Sequence, residues 1–400
     1  MKIVFINRYF YPDESATSQI LTDLAFELAN KKDNIWVVCS RLMYDGSTQL
    51  PANETINGVH IKRIWTTSFG RSNLIGRSFD YLSFYISALF VLLFLVSKND
   101  VVVSKTDPPL ISLVASFVCK VKGAKLVNWI QDLFPEVASA LGMKSLSIFE
   151  NVLIYLRNIS LKTAKMNVVI GETMKERLLA QGVSNNNIII VDNWSDGSAI
   201  KPVVRANNSL RKDWQLSNEF VVGYSGNMGR AHEFDTILGA VEELNDSANI
   251  KFIFIGGGAK KSWLEEQVKS RHLNNVIFKP YQERSQLMHS LCVPDIHLIS
   301  LYPTLEGLIV PSKFYGIAAA GRPVIFLGSK DGEIARKLTD SNCGISLELS
   351  NVKGLVSYLI ELSQNYDAVD YMGKHSRELF MKNYDKPIAI DRWENLLTKI

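Results

Sequence analysis

Cysteine is scarce in this 400-residue sequence: four, at positions 39, 119, 292 and 343, with no C-x-x-C pair. That spacing gives no support to a disulfide framework or a thiolate metal site, and it suits a reducing compartment. The six histidines (His60, His232, His272, His289, His297, His375) fall into no metal-ligand spacing, and no Asp-x-Asp pair is present to hold a metal on a nucleotide diphosphate. A serine–histidine–aspartate set cannot be assembled from adjacent motifs, and no G-x-G-x-x-G fingerprint marks a dinucleotide cofactor. Neither sign of charge prevails: 44 Lys/Arg against 40 Asp/Glu leave a net of +4, too little to argue for a nucleic-acid partner. No long hydrophobic run is available either. The longest uncharged one, 81–96, would span only about 24 Å as a helix, against a hydrocarbon core of roughly 30 Å, so no membrane-spanning helix is expected. Residues 2–6 read as an immediate core strand with no signal peptide before it, pointing to the cytoplasm.

What is present is a foldable globular chain, 47% apolar and 21% charged, long enough for two or three domains. Strand signals at 2–7, 36–40, 60–64, 101–105, 125–130 and 168–170 alternate with helix signals at 18–30, 78–97, 109–122, 145–165 and 173–181. Continuous apolar strands alternating with helices imply parallel sheets covered on both faces. The pattern repeats with strands at 220–224, 251–256, 275–279, 296–301 and 324–327, and helices at 232–244, 260–270, 284–291 and 311–320. The polar, turn-rich segment 192–202 is the natural hinge, and 385–397 reads as a last amphipathic helix. The expected fold class is therefore α/β, with two doubly wound parallel-sheet domains. Their ligands should bind beyond the carboxyl ends of the strands.

Four segments sit at such junctions. The segment 306–326 runs Glu306-Gly-Leu-Ile-Val-Pro-Ser-Lys-Phe-Tyr-Gly and on to Gly321-Arg-Pro. Pro311 suits a first helical turn. Ser312, the Lys313 ammonium and free N–H groups there form a seat for a diphosphate, with Glu306 upstream to accept from sugar or ribose hydroxyls. Ser225-Gly-Asn-Met-Gly-Arg230 is a glycine turn after a strand, where Gly226 and Gly229 admit close approach and Arg230 can hold a phosphate. Phe252-Ile-Phe-Ile-Gly-Gly-Gly258 is either a ligand-facing loop or an ordinary tight connection. Asn128-Trp-Ile-Gln-Asp-Leu-Phe-Pro-Glu136 puts Asp132 and Glu136 at a strand end, where Asp132 is either a site carboxylate or a helix cap. The loop 7–18 has the polar and aromatic make-up of an acceptor lip. Between residues 60 and 125, nine Lys/Arg (Arg71 among them) stand against three acids. With the apolar helix 81–96 beside them, they describe either a core helix with a solvated face or a surface that dips into the cytoplasmic leaflet.

Taken together, these segments resemble the donor half of glycosyltransferase family four, and the Asn193-Trp-Ser-Asp hinge and Gln131-Asp-Leu-Phe-Pro-Glu fit the same family. The resemblance covers essentially the whole chain and extends to WbuB-like and WcaI-like enzymes of bacterial O-antigen and colanic acid clusters. It implies a GT-B fold: an N-terminal acceptor-binding domain over 1–197, a C-terminal donor-binding domain over 205–384, and residues 385–400 crossing back onto the first. It also implies retention of the anomeric configuration and no essential metal. The family's Arg and Lys after the first C-domain strand align here with Asn227 and His232, leaving Arg230 and Lys313 as substitutes. The second family glutamate falls near Gly316, and Asp132 stands nearest the family's N-domain histidine.

The resulting expectation is a retaining, metal-independent hexosyltransferase. It takes sugar from a nucleotide diphosphate, UDP-linked, to a polyprenyl-diphosphate-linked saccharide at the inner face of the plasma membrane. Its catalytic residues would be Asp132, Glu306, Lys313 and Arg230. Its donor-binding residues would be Gly226, Asn227, Gly229, Gly257, Tyr281, Glu306, Gly307, Leu308, Pro311, Ser312 and Lys313, with no other cofactor. The rival readings are a UDP-sugar 2-epimerase of the same fold and a non-catalytic glycan- or lipid-binding subunit.

Overall fold

The computed structural model describes every residue except 33, 45, 47, 48, 71–73, 144–148, 217 and 248. Arg71 of the basic stretch and the start of the expected helix at 145 lie outside the described residues. The chain divides into two compact units, one of residues 1–192 with 390–400 and one of 193–389.

The first unit is built as β1 (Ile3–Ile6), α1 (Ala16–Ala29), β2 (Ile35–Ser40), β3 (Asn53–Ile56), β4 (Val59–Ile64), α2 (Leu74–Leu95), β5 (Val101–Ser104), α3 (Ile111–Lys122), β6 (Lys125–Trp129), α4 (Glu136–Ala140), α5 (Glu150–Thr163), β7 (Met166–Val169), α6 (Glu172–Ala180) and β8 (Ile188–Ile190). The strands form one sheet ordered β3-β4-β2-β1-β5-β6-β7-β8. Valine and isoleucine fill its central strands because both faces are covered, and β1 and β5 are buried throughout. Among the described residues only β3 runs antiparallel. It turns into β4 through Asn57 and Gly58, both at positive φ, a hairpin signal that strand reading from residue 60 onward overlooked. Successive right-handed crossovers from β4 to β5, β6 and β7 put α2, α3 and α5 on one face, and α3 packs against both α2 and α5.

Helix α2 is longer than the apolar run suggested. Arg77, Ser78 and Asp80 precede the run without ending the helix: Ser78 is exposed, and buried Asp80 accepts from the Thr67 hydroxyl and from the Phe69 and Gly70 N–H groups. Its window Ile75–Leu95 has a mean hydropathy of 1.8, so length and composition alone would let it cross a membrane.

The second unit contains α7 (Ser209–Asp213), β9 (Phe220–Asn227), α8 (Asp235–Glu243), β10 (Ile250–Gly257), α9 (Lys261–Ser270), β11 (Val276–Lys279), α10 (Leu287–Leu291), β12 (Ile296–Ser300), α11 (Lys313–Ala319), β13 (Val324–Leu327), α12 (Glu333–Ser341), β14 (Gly344–Leu347), α13 (Val352–Gln364), α14 (Tyr366–Asn383) and α15 (Lys386–Lys399). Its sheet is wholly parallel, ordered β11-β10-β9-β12-β13-β14. The core gathers Phe220, Val222, Phe252, Phe254, Ile296 and Ile325 from the strands with Leu355 and Leu359 of α13. Strands β8 and β14 escaped the sequence reading, since one has three residues and the other is a half-buried edge strand. From Ile390, α15 belongs to the first unit, where fully buried Trp393 packs on Trp129 with ring centroids 4.7 Å apart.

Candidate active site

Strands β9 and β10 end side by side in glycine, with Gly226 opposite Gly256 and Asn227 opposite Gly257. Gly256 has φ +133°, and a Cβ built on it would lie 2.2 Å from the Gly226 carbonyl oxygen. One on Gly258 would lie 2.3 Å from Asn227 Oδ1. Only glycine fits, so the carboxyl end of the sheet offers a floor of bare backbone where parallel sheets bind ligands.

Lys313, the first residue of α11, extends over this floor. Its Nζ stands 3.8 Å from the Tyr224 ring centroid, donates to the Tyr224 hydroxyl, and reaches the Asn227 carbonyl at 3.4 Å. The Tyr224 hydroxyl in turn donates to the same carbonyl at 3.2 Å. Desolvation of the half-buried lysine lowers its pKa to about 7. Behind it, His232 donates from Nδ1 to the Ser300 carbonyl at 2.6 Å. That partner can only accept, so the other ring nitrogen carries the lone pair. Burial, followed by the charges of Lys313 and Lys260, pushes the imidazole down to about 3, and it stays neutral at physiological pH. Lys260 lies 3.4 Å from the Tyr302 hydroxyl and over the rings of Trp263 and Tyr302. Two ammonium groups around a neutral imidazole form a positive pocket. Beside it Ser225 and Ser300, at the ends of adjacent strands, bury hydroxyls with no hydrogen-bond partner among the described residues. Tyr281 is exposed and lies flat enough against Gly256 and Gly257 that a Cβ on either would come within 3.3 or 3.2 Å of its ring.

Of the residues expected from sequence, Gly226, Asn227, Gly257, Tyr281 and Lys313 therefore converge. Gly229 stays tied to Asn227, whose Nδ2 a Cβ there would approach to 3.0 Å. Arg230 is exposed and makes no hydrogen bond or ion pair among the described residues. Glu306 has another partner: its Oε1 accepts from the Glu333 N–H at 2.7 Å, capping α12. Gly307 makes the intervening turn at φ +75°, Leu308 and Pro311 are buried, and Ser312 is exposed without a capping bond. Helix α11 has only seven residues and starts at Lys313, two positions later than expected. Tyr224, Lys260 and Tyr302 were missed, although Lys260 follows the Gly256–Gly258 triplet that invited the ligand-loop reading.

The first unit holds the other candidate. Asp132, just beyond β6, lines a cavity with Lys105, Thr106, Asn128, Ser112 and Arg157. Its Oδ1 is buried without a hydrogen-bond partner among the described residues. Burial raises its pKa to about 6, opposed by a hydrogen bond from Thr106, while Asp107 adds to the rise and Lys105 subtracts. Lys105 donates to the Thr17 carbonyl at 3.0 Å, sits 4.0 Å over Trp129, and is lowered to about 7 by burial. Glu136, by contrast, is bound by Arg157 through both oxygens, at 2.6 and 2.9 Å. A raised carboxyl pKa favours the folded state at low pH, and that contribution is lost as pH rises from about 4 to about 6. Asp132→Asn should therefore gain thermal stability relative to the parent as pH rises through this window. Melting curves from pH 4 to 8 check this, and a constant difference would refute a buried, perturbed Asp132.

Residues 207–379, within the second unit, match the family described as "Glycosyl transferases group 1". The whole chain has the GT-B fold: it superposes over 100% of its length on 100% of Anabaena Alr3699/HepE, solved in complex with UDP and glucose, with TM-score 0.76 at 13% identity. Among curated relatives it is 27% identical to the "Probable glycosyltransferase WbjE" of Pseudomonas aeruginosa over 304 residues, 74% of each chain. It is 26% identical to the "Putative colanic acid biosynthesis glycosyl transferase WcaI" of Escherichia coli (strain K12) over 247 residues, 60% of each chain.

Proposed function

We propose that this chain is a retaining glycosyltransferase that moves a hexose from a UDP-linked donor to a polyprenyl-diphosphate-linked saccharide, in the making of a bacterial surface polysaccharide at the inner membrane face. The observation that carries the reading is the lysine-flanked glycine floor at the ends of β9 and β10, a cationic seat of bare backbone. The names of WbjE and WcaI support the reaction class and the UDP in HepE supports the donor.

In this reading the diphosphate lies on Gly226 and Gly256 under Lys313 and Lys260, with Arg230 closing from solvent. The flat face of Tyr281 suits the base. Glu306 contacts sugar or ribose hydroxyls from its capping position. The acceptor occupies the first unit, with Asp132 orienting its hydroxyl. The bond from the anomeric carbon to the diphosphate oxygen breaks as the acceptor oxygen bonds the same face, and the acceptor proton passes to the departing diphosphate. Lysine charge stabilises that leaving group without a metal.

The test is to incubate the protein with a panel of UDP-sugars, with and without a lipid-linked acceptor, and to determine product mass and anomer. Transfer that needs the acceptor supports the reading. Conversion of the donor alone to an epimer, or no turnover with any donor, overturns it. Lys260→Met should raise the donor dissociation constant about tenfold, equivalent to about 1.4 kcal/mol, with a smaller effect at high salt. Titration calorimetry at two ionic strengths measures it.

A further inference from the structure

Helix α2 has two sides with opposite fates. Phe84, Ala88 and Leu92 are buried in a core with Val4, Ile6 and Val102. On the other side Ile75, Phe79, Leu82, Ile86, Phe90 and Phe94 are all exposed, Phe94 at 89%. Their spacing is helical, so they form one stripe about 29 Å long. The neighbouring helices widen it, since Phe117 and Val121 of α3 and Val152, Tyr155 and Ile159 of α5 are exposed as well. Single exposed apolar side chains are ordinary, but a surface continuous over three adjacent helices marks a contact site.

The charges around it select the partner. Helices α2, α3 and α5 all run back along the sheet from strand ends to strand starts, so their carboxyl ends lie along one border. On that border Lys98, Lys120, Lys162 and Lys165 are exposed. No acid on these three helices is exposed among the described residues, because Asp80 is buried and Glu150 half-buried. A second copy would therefore bring lysines with no carboxylates to receive them. Acyl chains beneath an anionic headgroup layer complement both the apolar stripe and the lysine border.

We infer that α2, α3 and α5 together form a plate that seats the first unit flat on an anionic bilayer, without crossing it. A spanning α2 would strip its inner side from the sheet and expose Asp80, which pairs with Arg8 at 3.7 Å and accepts from Thr67 at 2.7 Å. The inference rests on the proposed lipid-linked acceptor for its purpose. The Asp132 cavity is lined by Ser112 of α3 and by Arg157 and Leu161 of α5, so a saccharide held at that bilayer meets the same helices.

The experiment is co-sedimentation of the full chain with vesicles of phosphatidylcholine alone or with phosphatidylglycerol. Binding should require phosphatidylglycerol. The paired changes Phe90→Asp with Phe94→Asp on α2, and Phe117→Asp with Val121→Asp on α3, should each weaken it about tenfold or more. Lys120→Ala with Lys162→Ala should remove most of the preference for phosphatidylglycerol. Melting temperature and the thermal shift given by UDP-sugars should stay at parent values in all variants, which separates failure of the plate from failure of the transferase reading. Indifference of the parent to vesicles would overturn the inference. So would unchanged binding by the α3 pair, or a parent dimer in solution that these pairs dissociate.

Discussion

Lys313→Ala should lower sugar transfer by about 10²–10³-fold while leaving the melting temperature close to that of the parent. The size follows from losing one charge that stabilises a leaving oxyanion in a desolvated pocket. The lysine is the group that joins α11 to the end of β9, through the Tyr224 hydroxyl and the Asn227 carbonyl. Its lowered pKa of about 7 adds a signature. Only the ammonium form attracts diphosphate, so kcat/KM of the free enzyme should fall as pH rises above about 7. Lys313→Arg keeps its charge throughout and should carry that fall to higher pH, whatever activity its bulk allows. Steady-state kinetics from pH 5.5 to 9, with melting curves as the control for folding, decide it. Full activity in Lys313→Ala would remove this lysine from the mechanism.

The second large effect belongs to Gly256. A methyl group there meets the Gly226 carbonyl oxygen at 2.2 Å, and the backbone at φ +133° is one that side chains rarely adopt. Gly256→Ala should cost about 2–4 kcal/mol of stability, combining strain with forced separation of β9 from β10. The donor site should be lost as well, because the two strand ends are its floor. Chemical denaturation would measure the first effect, and the absence of a UDP-induced thermal shift in the folded fraction the second. Gly70, at φ +86° but with open space around it, is a comparison site where alanine meets backbone strain without the clash. Equal losses at the two positions would refute the close-packing argument.

Much of this architecture was legible because its signals are local. Parallel strands advertise themselves as unbroken runs of valine and isoleucine, and the glycine ends of β9 and β10 follow such runs directly. Lys313 could be picked out because proline and serine precede it at a helix start, and Asp132 because it follows an apolar strand. Long-range pairing was not legible. Nothing around Glu306 announces that its partner is the backbone of Glu333, 27 residues on. Nor does the sequence around His232 reveal that the Ser300 carbonyl will fix its tautomer, 68 residues away. Arg230 carries the charge a phosphate wants, yet the turn leaves it in solvent. The 81–96 run left a core helix and a surface contact both open, since averaging hydropathy along a helix does not separate the side that serves the core from the side that stays bare.

Helix α15 carries a consequence for synthesis. The chain passes between the units at residues 192–193 and again at 389–390, so the second unit is a guest, continuous in sequence, inside a host that is not. Trp393, which covers Trp129, emerges from the ribosome only after the entire guest has been made. Domains made first usually fold first. Here the earlier one must wait with an aromatic surface uncovered, and it closes its core with residues translated after the whole of the second unit.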